Sequence, residues 1–462
     1  MELHGDFLKE IYGLLPEAEA GRLIEAIGTT DASVAVRVND GKGVGVPAGV
    51  ERVPWCARGF YLDERRPFTF DPLLHAGAYY VQDASSMVVQ RIVEQLLECP
   101  VRYLDLCAAP GGKTTAALDA LPEGSLMVCN EIMGNRAQIL KENVVKWGNP
   151  ACVVTNSDSA ALSRLEGFFD VVAADVPCSG EGMFRKDAEA VAQWTPALVA
   201  QCAARQREIV DNAWRALRDG GLLIYSTCTY NRSEDEAMVE YIVREYGAES
   251  VDLNFPAEWN IGGGIGTAEH CYRFMPHRTR GEGLFVAVLR KPGVAEAAVV
   301  RPARAKGTRG AQKVPAVPAC ARTWLKGDFI FSADAQGSVT AVAAVHADEV
   351  EMLRKNLRVI HAGVEVGVAK GRDLVPSHGL LLSTAFNREA FAIYEVDYTT
   401  AMAYLRGETI AVDAPRGIVA VAYRGTPIGF VKNLGNRANN LYPKEWRVKS
   451  THIPATPPSI VG

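Results

Sequence analysis

Long apolar runs are missing from this chain: no stretch reaches the roughly 18 consecutive apolar residues that a membrane-spanning helix needs, so no membrane role is expected. The start, Met1-Glu-Leu-His-Gly-Asp6, has neither the basic segment nor the apolar core of a secretory leader, and the expected location is the cytoplasm. Histidine is scarce, and the ten cysteines fall at irregular spacing without the close pairs of a zinc site. Neither a bound metal nor a disulfide scaffold is therefore expected. A general excess of positive charge is absent too, the formal net charge being -5. What exists is local: residues 290–313 hold seven Lys/Arg against one acid, and residues 416–449 again seven against one. Such patches suit a strongly acidic polymer, or are ordinary solvated segments.

With 48% hydrophobic and 22% charged residues over 462 positions, the chain has the make-up of a globular protein long enough for several cores. Residues 1–95 read as a small α+β accessory domain, with an amphipathic helix at 7–15, an alternating strand at 34–38 and a further helix at 84–97 leading into the next region. Across 96–291 the pattern is apolar strand, turn, helix, repeated. Strands are expected at 101–106, 125–129, 152–155, 169–174, 222–226 and 284–289, and helices at 114–121, 134–147, 196–217 and 233–246. Runs such as Val171-Val-Ala-Ala174 lack polar alternation, as strands buried on both faces of a parallel sheet do. The fold class is α/β, a doubly wound Rossmann-like core whose working crevice lies beyond the carboxyl ends of its strands. Residues 292–320 read as a basic linker, 321–382 as a small C-terminal domain and 383–462 as a β-rich domain. Within the last, 408–412, 417–423 and 426–431 are expected to pair into a small barrel.

A tight glycine turn follows the first core strand in Leu104-Asp-Leu-Cys-Ala-Ala-Pro-Gly-Gly-Lys-Thr-Thr115. Gly111 and Gly112 allow close approach of backbone and ligand, and the next helix start offers partial positive charge to a carboxylate. The spacing is not that of a phosphate loop, which disfavours a nucleoside triphosphate. Glu131, just after the second strand, suits ribose hydroxyls. That position serves nicotinamide dinucleotides as well as S-adenosylmethionine; the absence of Gly-x-Gly-x-x-Gly favours the methyl donor. Asp158 is placed to meet an adenine amino group or to cap the helical turn that follows it. Lys113 lies beside the methionyl end of the donor, contacts RNA, or faces solvent at the helix start.

Cys107, Cys178 and Cys228 all fall at or just past strand ends, the latter two in Asp175-Val-Pro-Cys-Ser-Gly180 and Tyr225-Ser-Thr-Cys-Thr229. A thiolate is a strong nucleophile near neutrality. Methylating carbon 5 of cytosine calls for one, because that carbon becomes electron-rich only after a group adds at carbon 6. Cys228 is the candidate attacking thiol, and Asp175 the candidate to protonate or hydrogen-bond the ring nitrogen. Cys178 is the candidate to assist loss of the carbon-5 proton, directly or through water. The competing reading is two inert thiols at packed strand ends. Cys99, Cys129, Cys152 and Cys202 read as small core residues. His277 is a candidate contact to a target backbone, not a base, and Phe184 and Trp194 are candidate neighbours of a turned-out base or plain packing residues.

With these words in place, the chain resembles the Sun/nucleolar-protein family of S-adenosylmethionine-dependent RNA cytosine carbon-5 methyltransferases, and within it the bacterial RsmF (YebU) type that acts on small-subunit ribosomal RNA. The matching words are Val36-Arg-Val-Asn39, Tyr80-Val-Gln-Asp-Ala-Ser-Ser86, residues 104–115, Asn130-Glu131 with Arg136 and Asn143, residues 175–180, Ser226-Thr-Cys-Thr229 and Arg273-Phe-Met-Pro-His-Arg-Thr-Arg-Gly-Glu-Gly283. The resemblance implies attack by Cys228 and product release aided by Cys178. It also implies donor contacts by Ala109, Pro110, Gly111, Gly112, Lys113, Glu131, Arg136, Asp158 and Asp175. DNA cytosine methyltransferases attack from the Pro-Cys word, so possession of both cysteines favours RNA over DNA.

Residues 431–447 resemble the end of the PUA-like RNA-binding domain of RsmF-type enzymes, with Lys432, Arg437 and Lys444 placed to hold RNA backbone. The implied partner is 16S ribosomal RNA within the small subunit or its precursor, bound also by the 1–95 accessory domain, with no obligate protein partner and a monomer as the default. A carbon-5 methyltransferase acting on tRNA and a catalytically inactive RNA-binding assembly factor remain alternatives. A thiol hydrolase is disfavoured, since neither cysteine word contains histidine.

Overall fold

The computed structural model describes residues 3–294, 316–370, 373–450 and 452–461; most of the expected 292–320 linker and of the basic stretch 290–313 lies outside them. Two helices, α1 (Gly5–Leu14) and α2 (Glu17–Thr29), precede a three-stranded antiparallel sheet in which β1 (Val34–Val38) lies between β2 (Gly59–Leu62) and β3 (Tyr79–Val81). The short helix α3 (Pro72–His75) links β2 to β3, and α4 (Val88–Leu96) leads into the core.

The core carries the alternation expected of it: β4 (Arg102–Asp105), α5 (Gly112–Leu118), β5 (Leu126–Asn130), α6 (Gly134–Trp147), β6 (Cys152–Thr155), α7 (Ser159–Leu162), β7 (Phe169–Asp175), α8 (Ala188–Gln193), α9 (Pro196–Ala216), β8 (Leu217–Thr227) and α10 (Glu236–Tyr246). The short strands β9 (Glu249–Ser250), β10 (Gly262–Gly263) and β11 (Tyr272–Phe274) and the long β12 (Leu284–Arg290) complete the segment. Strands run β8-β7-β4-β5-β6 in parallel, with β12 added antiparallel to β8. Order reverses at β4, so β7 and β5 flank it and a crevice opens at the carboxyl ends of β4 and β7.

Side-chain alternation explains why every residue of β5 and β6 is buried. Leu126, Val128 and Val153 enter a core with Val210, Ala213 and Trp214 of α9 and Met238 and Ile242 of α10. Met127, Cys129, Cys152 and Val154 enter the opposite core with Ile92, Val93, Leu118, Leu140 and Val144.

The C-terminal segments depart from the sequence reading. After β13 (Phe329–Ala333), β14 (Ser338–Ala343) and α11 (Ala347–Asn356), strand β15 (Val359–Ala362) joins the catalytic sheet antiparallel to β6. Val350 and Leu353 of α11 enter the same core as α9 and α10. Residues 321–382 are thus partly built into the 96–291 unit, because β6 would otherwise be an uncovered sheet edge. The remaining strands β16 (Val364–Lys370) and β17 (Asp373–Pro376) pair with β13 and β14, and α12 (His378–Leu382) follows.

The last sheet orders β18 (Ala392–Glu395), β19 (Gly417–Tyr423), β20 (Thr426–Asn433) and β21 (Ala438–Asn440), with α13 (Tyr398–Leu405) packed on it. The expected strand at 408–412 is not one, and β18 takes the place beside β19. Its carbonyls are satisfied by side chains instead: Asn440 Nδ2 donates to Glu408 O at 2.9 Å and Asn433 Nδ2 to Val412 O at 3.4 Å. Among the described residues no helix is long and apolar enough to cross a membrane.

Candidate active site

Three loops leave the carboxyl ends of β4, β7 and β8 and converge on the crevice. The first starts α5: Gly111 sits at φ +114°, and a Cβ there would lie 3.3 Å from Leu140 Cδ1, so the turn requires glycine. The second carries Asp175, Cys178 and Gly182, and the third carries Cys228. Gly182 N donates to Cys228 O at 2.8 Å, an approach that a side chain at 182 would block.

This packing brings the two sulfurs of Cys178 and Cys228 to 3.4 Å, a hydrogen-bonded pair of free thiols. The contact with Cys178 is the main reason the Cys228 thiol is held below its ordinary range, with the Lys113 ammonium adding to it against burial and Asp175. The same contact, reinforced by burial, pushes Cys178 well above that range. Of the two, Cys228 is therefore the thiol that gives up its proton the more readily. Lys113 Nζ lies 2.8 Å from Asp175 Oδ2, and Ser226 Oγ donates to Asp175 Oδ1 at 2.8 Å. Burial alone would lower the Lys113 pKa, but Asp175 more than offsets it and keeps the ammonium charged. Cys107, the third strand-end thiol, is pushed far up by burial and by Asp105, so it is no nucleophile. Asp105 is itself buried, accepts from Thr114 Oγ1 at 2.6 Å and is pushed up to about 7 by burial.

Two cavities meet at this centre, both lined by Cys107, Ala109, Asp175, Met183 and Cys228. The larger, about 540 Å³, also has Glu131, Arg136 and Asp158 on its wall, with Ile132, Met133, Val176 and Ile209. Glu131 accepts from Met133 N at 2.9 Å and lies 3.5 Å from Arg136 Nη1, and Arg136 Nη2 donates to Ala109 O at 2.8 Å. Asp158 caps α7 through Ala160 N at 2.6 Å, the capping role open to it, and also lines the cavity. The donor set fits S-adenosylmethionine: acids for the ribose hydroxyls and adenine amine, and exposed Ile132 and Met133 for a flat apolar ring.

The smaller cavity, about 320 Å³, is lined by Tyr80, Gln82, Asp83, Ser86, Pro110, Gly112, Lys113, Lys186 and Glu282. Pro110, Gly112 and Lys113, expected on the donor, therefore face this second side, and Gly111 lines neither cavity. Val81, Gln82, Asp83 and Lys186 continue into a broad groove of about 1300 Å³ between the N-terminal sheet and residues 276–281. No cluster of metal-binding side chains occurs among the described residues.

Other candidates fall elsewhere. Phe184 and Trp194 are buried against Phe7 of α1, with ring centroids 5.1 and 5.6 Å away, and are packing residues. His277 is held by Glu19 of α2 at 3.1 Å, although it lines the broad groove. Cys129 and Cys152 are core residues as expected; Cys99 is exposed and Cys202 half-buried, because 99 lies in the loop after α4 and 202 beside the buried face of α9.

Sequence reasoning missed a buried polar cluster behind the cysteines, Glu181, Gln206, Asn231 and Glu234, and Glu282 at the mouth of the second cavity. Carboxylates within a few residues of both cysteine words were the available signal. Glu282 accepts from Ser33 N at 3.0 Å and from Arg185 Nε at 2.9 Å, tying the N-terminal domain to the catalytic loops.

Residues 98–290 match the family described as 16S rRNA methyltransferase RsmB/F, residues 3–84 the N-terminal domain of 16S rRNA methyltransferase RsmF, and residues 391–448 the methyltransferase RsmF PUA domain. The chain is 30% identical over 408 residues to the ribosomal RNA small subunit methyltransferase F of Enterobacter sp. (strain 638), covering 85% of this chain and 83% of that protein. It is 31% identical over 429 residues to the protein of the same name from Escherichia coli O9:H4 (strain HS), covering 85% and 84%. A methyltransferase homolog protein from Pyrococcus horikoshii superposes with a TM-score of 0.52 at 25% identity, covering 62% of this chain and 94% of that one.

Proposed function

The chain belongs to the RsmF type of the 16S rRNA methyltransferase RsmB/F family, and from that premise we propose that it methylates carbon 5 of a cytosine in 16S ribosomal RNA through a covalent adduct on Cys228. The observation that carries the reading is the pair of sulfurs 3.4 Å apart where the two cavities meet, one thiol favoured as thiolate and the other as thiol.

S-adenosylmethionine, held by Ala109, Glu131, Arg136, Asp158 and Asp175, supplies the methyl group when bound. The chain's own residues do the rest. The Cys228 thiolate forms a bond to carbon 6 of the cytosine turned out into the second cavity, and the carbon 5–carbon 6 π pair moves to carbon 5. Asp175, braced by Lys113 and Ser226, accepts a hydrogen bond from the ring nitrogen in its protonated form, which favours the electron-poor ring whose carbon 6 is attacked. Once carbon 5 carries the methyl group, a water placed by the Cys178 thiol takes the carbon-5 proton. The C–H pair restores the ring double bond and the C–S pair returns to Cys228.

The PUA-like domain and the groove beside the N-terminal sheet support binding of RNA flanking the target. We assign the substrate to the small subunit or its precursor and the site of action to the cytoplasm. Methyl transfer from labelled donor to 16S RNA, naked or in small subunits, tests the reading. Cys228→Ala is expected to abolish product, and Cys178→Ala to leave RNA covalently attached after methylation. Equal loss in both variants with no attached RNA overturns these roles.

A further inference from the structure

We propose that Glu234, acting with Gln206 and Asn231, is a positioning residue that holds Cys178 in place for the release step; the inference rests on the roles of Cys178 and Cys228 given above. Glu234 lies just before α10, fully buried behind the two cysteine loops. Its carboxylate accepts from Ser179 N at 3.0 Å and from Gln206 Nε2 at 2.7 Å, and the same Gln206 nitrogen donates to Pro177 O at 3.0 Å. The residues immediately before and after Cys178 are thus gripped by one carboxylate and its partner. Asn231 Nδ2 donates to the other Glu234 oxygen at 2.8 Å and to Thr229 Oγ1 at 2.9 Å, the residue after Cys228. Ser179 Oγ and Thr229 Oγ1 close the ring at 2.9 Å.

The partners of the Glu234 carboxylate are donors, which is the environment a carboxylate requires and a carboxamide does not satisfy. Burial raises the Glu234 pKa and these donors oppose it. The neighbouring Glu181 braces the far side, accepting from Tyr230 N at 2.7 Å, Asn231 Nδ2 at 3.1 Å and Trp194 Nε1 at 3.0 Å. Gly182 N on Cys228 O and Ser226 Oγ on Asp175 tie the two loops to each other at other points. The backbone groups that flank Cys178, Pro177 O and Ser179 N, are held by the Glu234–Gln206 pair. Loss of that grip therefore affects release more than attack.

The test is a single-turnover reaction of the full chain with 16S RNA and labelled S-adenosylmethionine, followed on denaturing gels for methylated RNA and for RNA bonded to protein. Wild type, Cys178→Ala, Glu234→Ala, Glu234→Gln and Gln206→Ala are compared. Glu234→Ala and Gln206→Ala are expected to form adduct within a few-fold of wild type but to hold it about tenfold longer, the effect of losing a charge-assisted hydrogen bond. Glu234→Gln is expected to fall between them and wild type, since one amide oxygen still accepts. Should Glu234→Ala lack a cooperative thermal transition, the Gln206→Ala and Glu234→Gln proteins decide. Parallel loss of formation and release with no lengthened adduct, while Cys178→Ala still traps RNA, overturns the positioning role alone. Failure of Cys178→Ala to trap RNA overturns the release role itself, and this inference with it.

Discussion

At the scale of single residues, the site works by making two chemically identical thiols unequal. Their mutual contact and burial push Cys178 up, whereas the same contact, aided by the Lys113 ammonium, lowers Cys228. Lys113 does double service, because the same nitrogen holds Asp175 at 2.8 Å. Replacing Lys113 by Met removes a positive charge that lowers the Cys228 pKa, so the thiolate fraction at neutral pH falls. The acid limb of the pH–rate profile for adduct formation is then expected to move to higher pH, with a loss at neutrality of about 10- to 100-fold. Alkylation of Cys228 by iodoacetamide across pH should shift in the same direction, and an unmoved alkylation profile would show that Lys113 has no electrostatic hold on this sulfur. That Cys228, Cys178 and Asp175 meet at one crevice was legible in the sequence because the strand ends of a doubly wound sheet converge there, and those ends were marked by apolar runs. Glu234 was not legible. A glutamate is ordinarily a surface residue, and what buries this one comes from α9 and the two cysteine loops.

At the scale of elements, the cofactor loop is braced from outside the catalytic domain. Arg37 of β1 is fully buried and pairs with Asp119 just after α5, donates to Gln82 Oε1 at 3.0 Å and to Thr115 Oγ1 at 2.5 Å, and lies over the Trp147 ring at 4.5 Å. The word Val36-Arg-Val-Asn39 was visible in the sequence, but its purpose was not, since its partners lie some 80 positions away. Arg37→Met leaves the Asp119 carboxylate buried without its main counter-charge. The expected cost is about 3–5 kcal/mol, with weaker donor binding, measurable by denaturant unfolding and by titration calorimetry with S-adenosylmethionine. A cost below about 1 kcal/mol would mean that the two domains are not coupled through this residue. The parallel strands themselves were read within a few residues because burial on both faces leaves an uninterrupted apolar run. The edge strand β15 and the absent strand at 408–412 escaped that reading. In the first case the partner strand is some 200 residues distant, and in the second Asn433 and Asn440 do the work of a neighbouring strand.

At the scale of the whole molecule, the first and last domains share one core. Val36, Val38, Phe60 and Tyr79 of the N-terminal domain pack with Tyr404, Val421 and Ile428 of the PUA-like domain and with Ile460 and Val461 of the tail. Where this core meets the catalytic domain, two histidines are buried uncharged. His75 is depressed to about 4 and His378 to about 3, in both cases first by burial and then by the charge of Lys146, with Lys42 and His75 also acting on His378. Neither ring nitrogen of His378 has a hydrogen-bond partner among the described residues, and its ring packs against Tyr442 and Trp446 at 4.9 and 5.2 Å. Below the ordinary histidine value of about 6.5 the unfolded chain takes up protons that the folded chain refuses, so stability falls as pH drops from there toward 4. Each histidine is expected to cost about 2 kcal/mol at pH 5 relative to pH 7.5. His378→Phe keeps the ring packing and removes the titrating group. It should therefore stabilise the protein at pH 5 by about 2 kcal/mol more than at pH 7.5 in denaturant unfolding. Equal effects at the two pH values would mean that the acid sensitivity of the junction lies elsewhere, His75 being the next residue to replace.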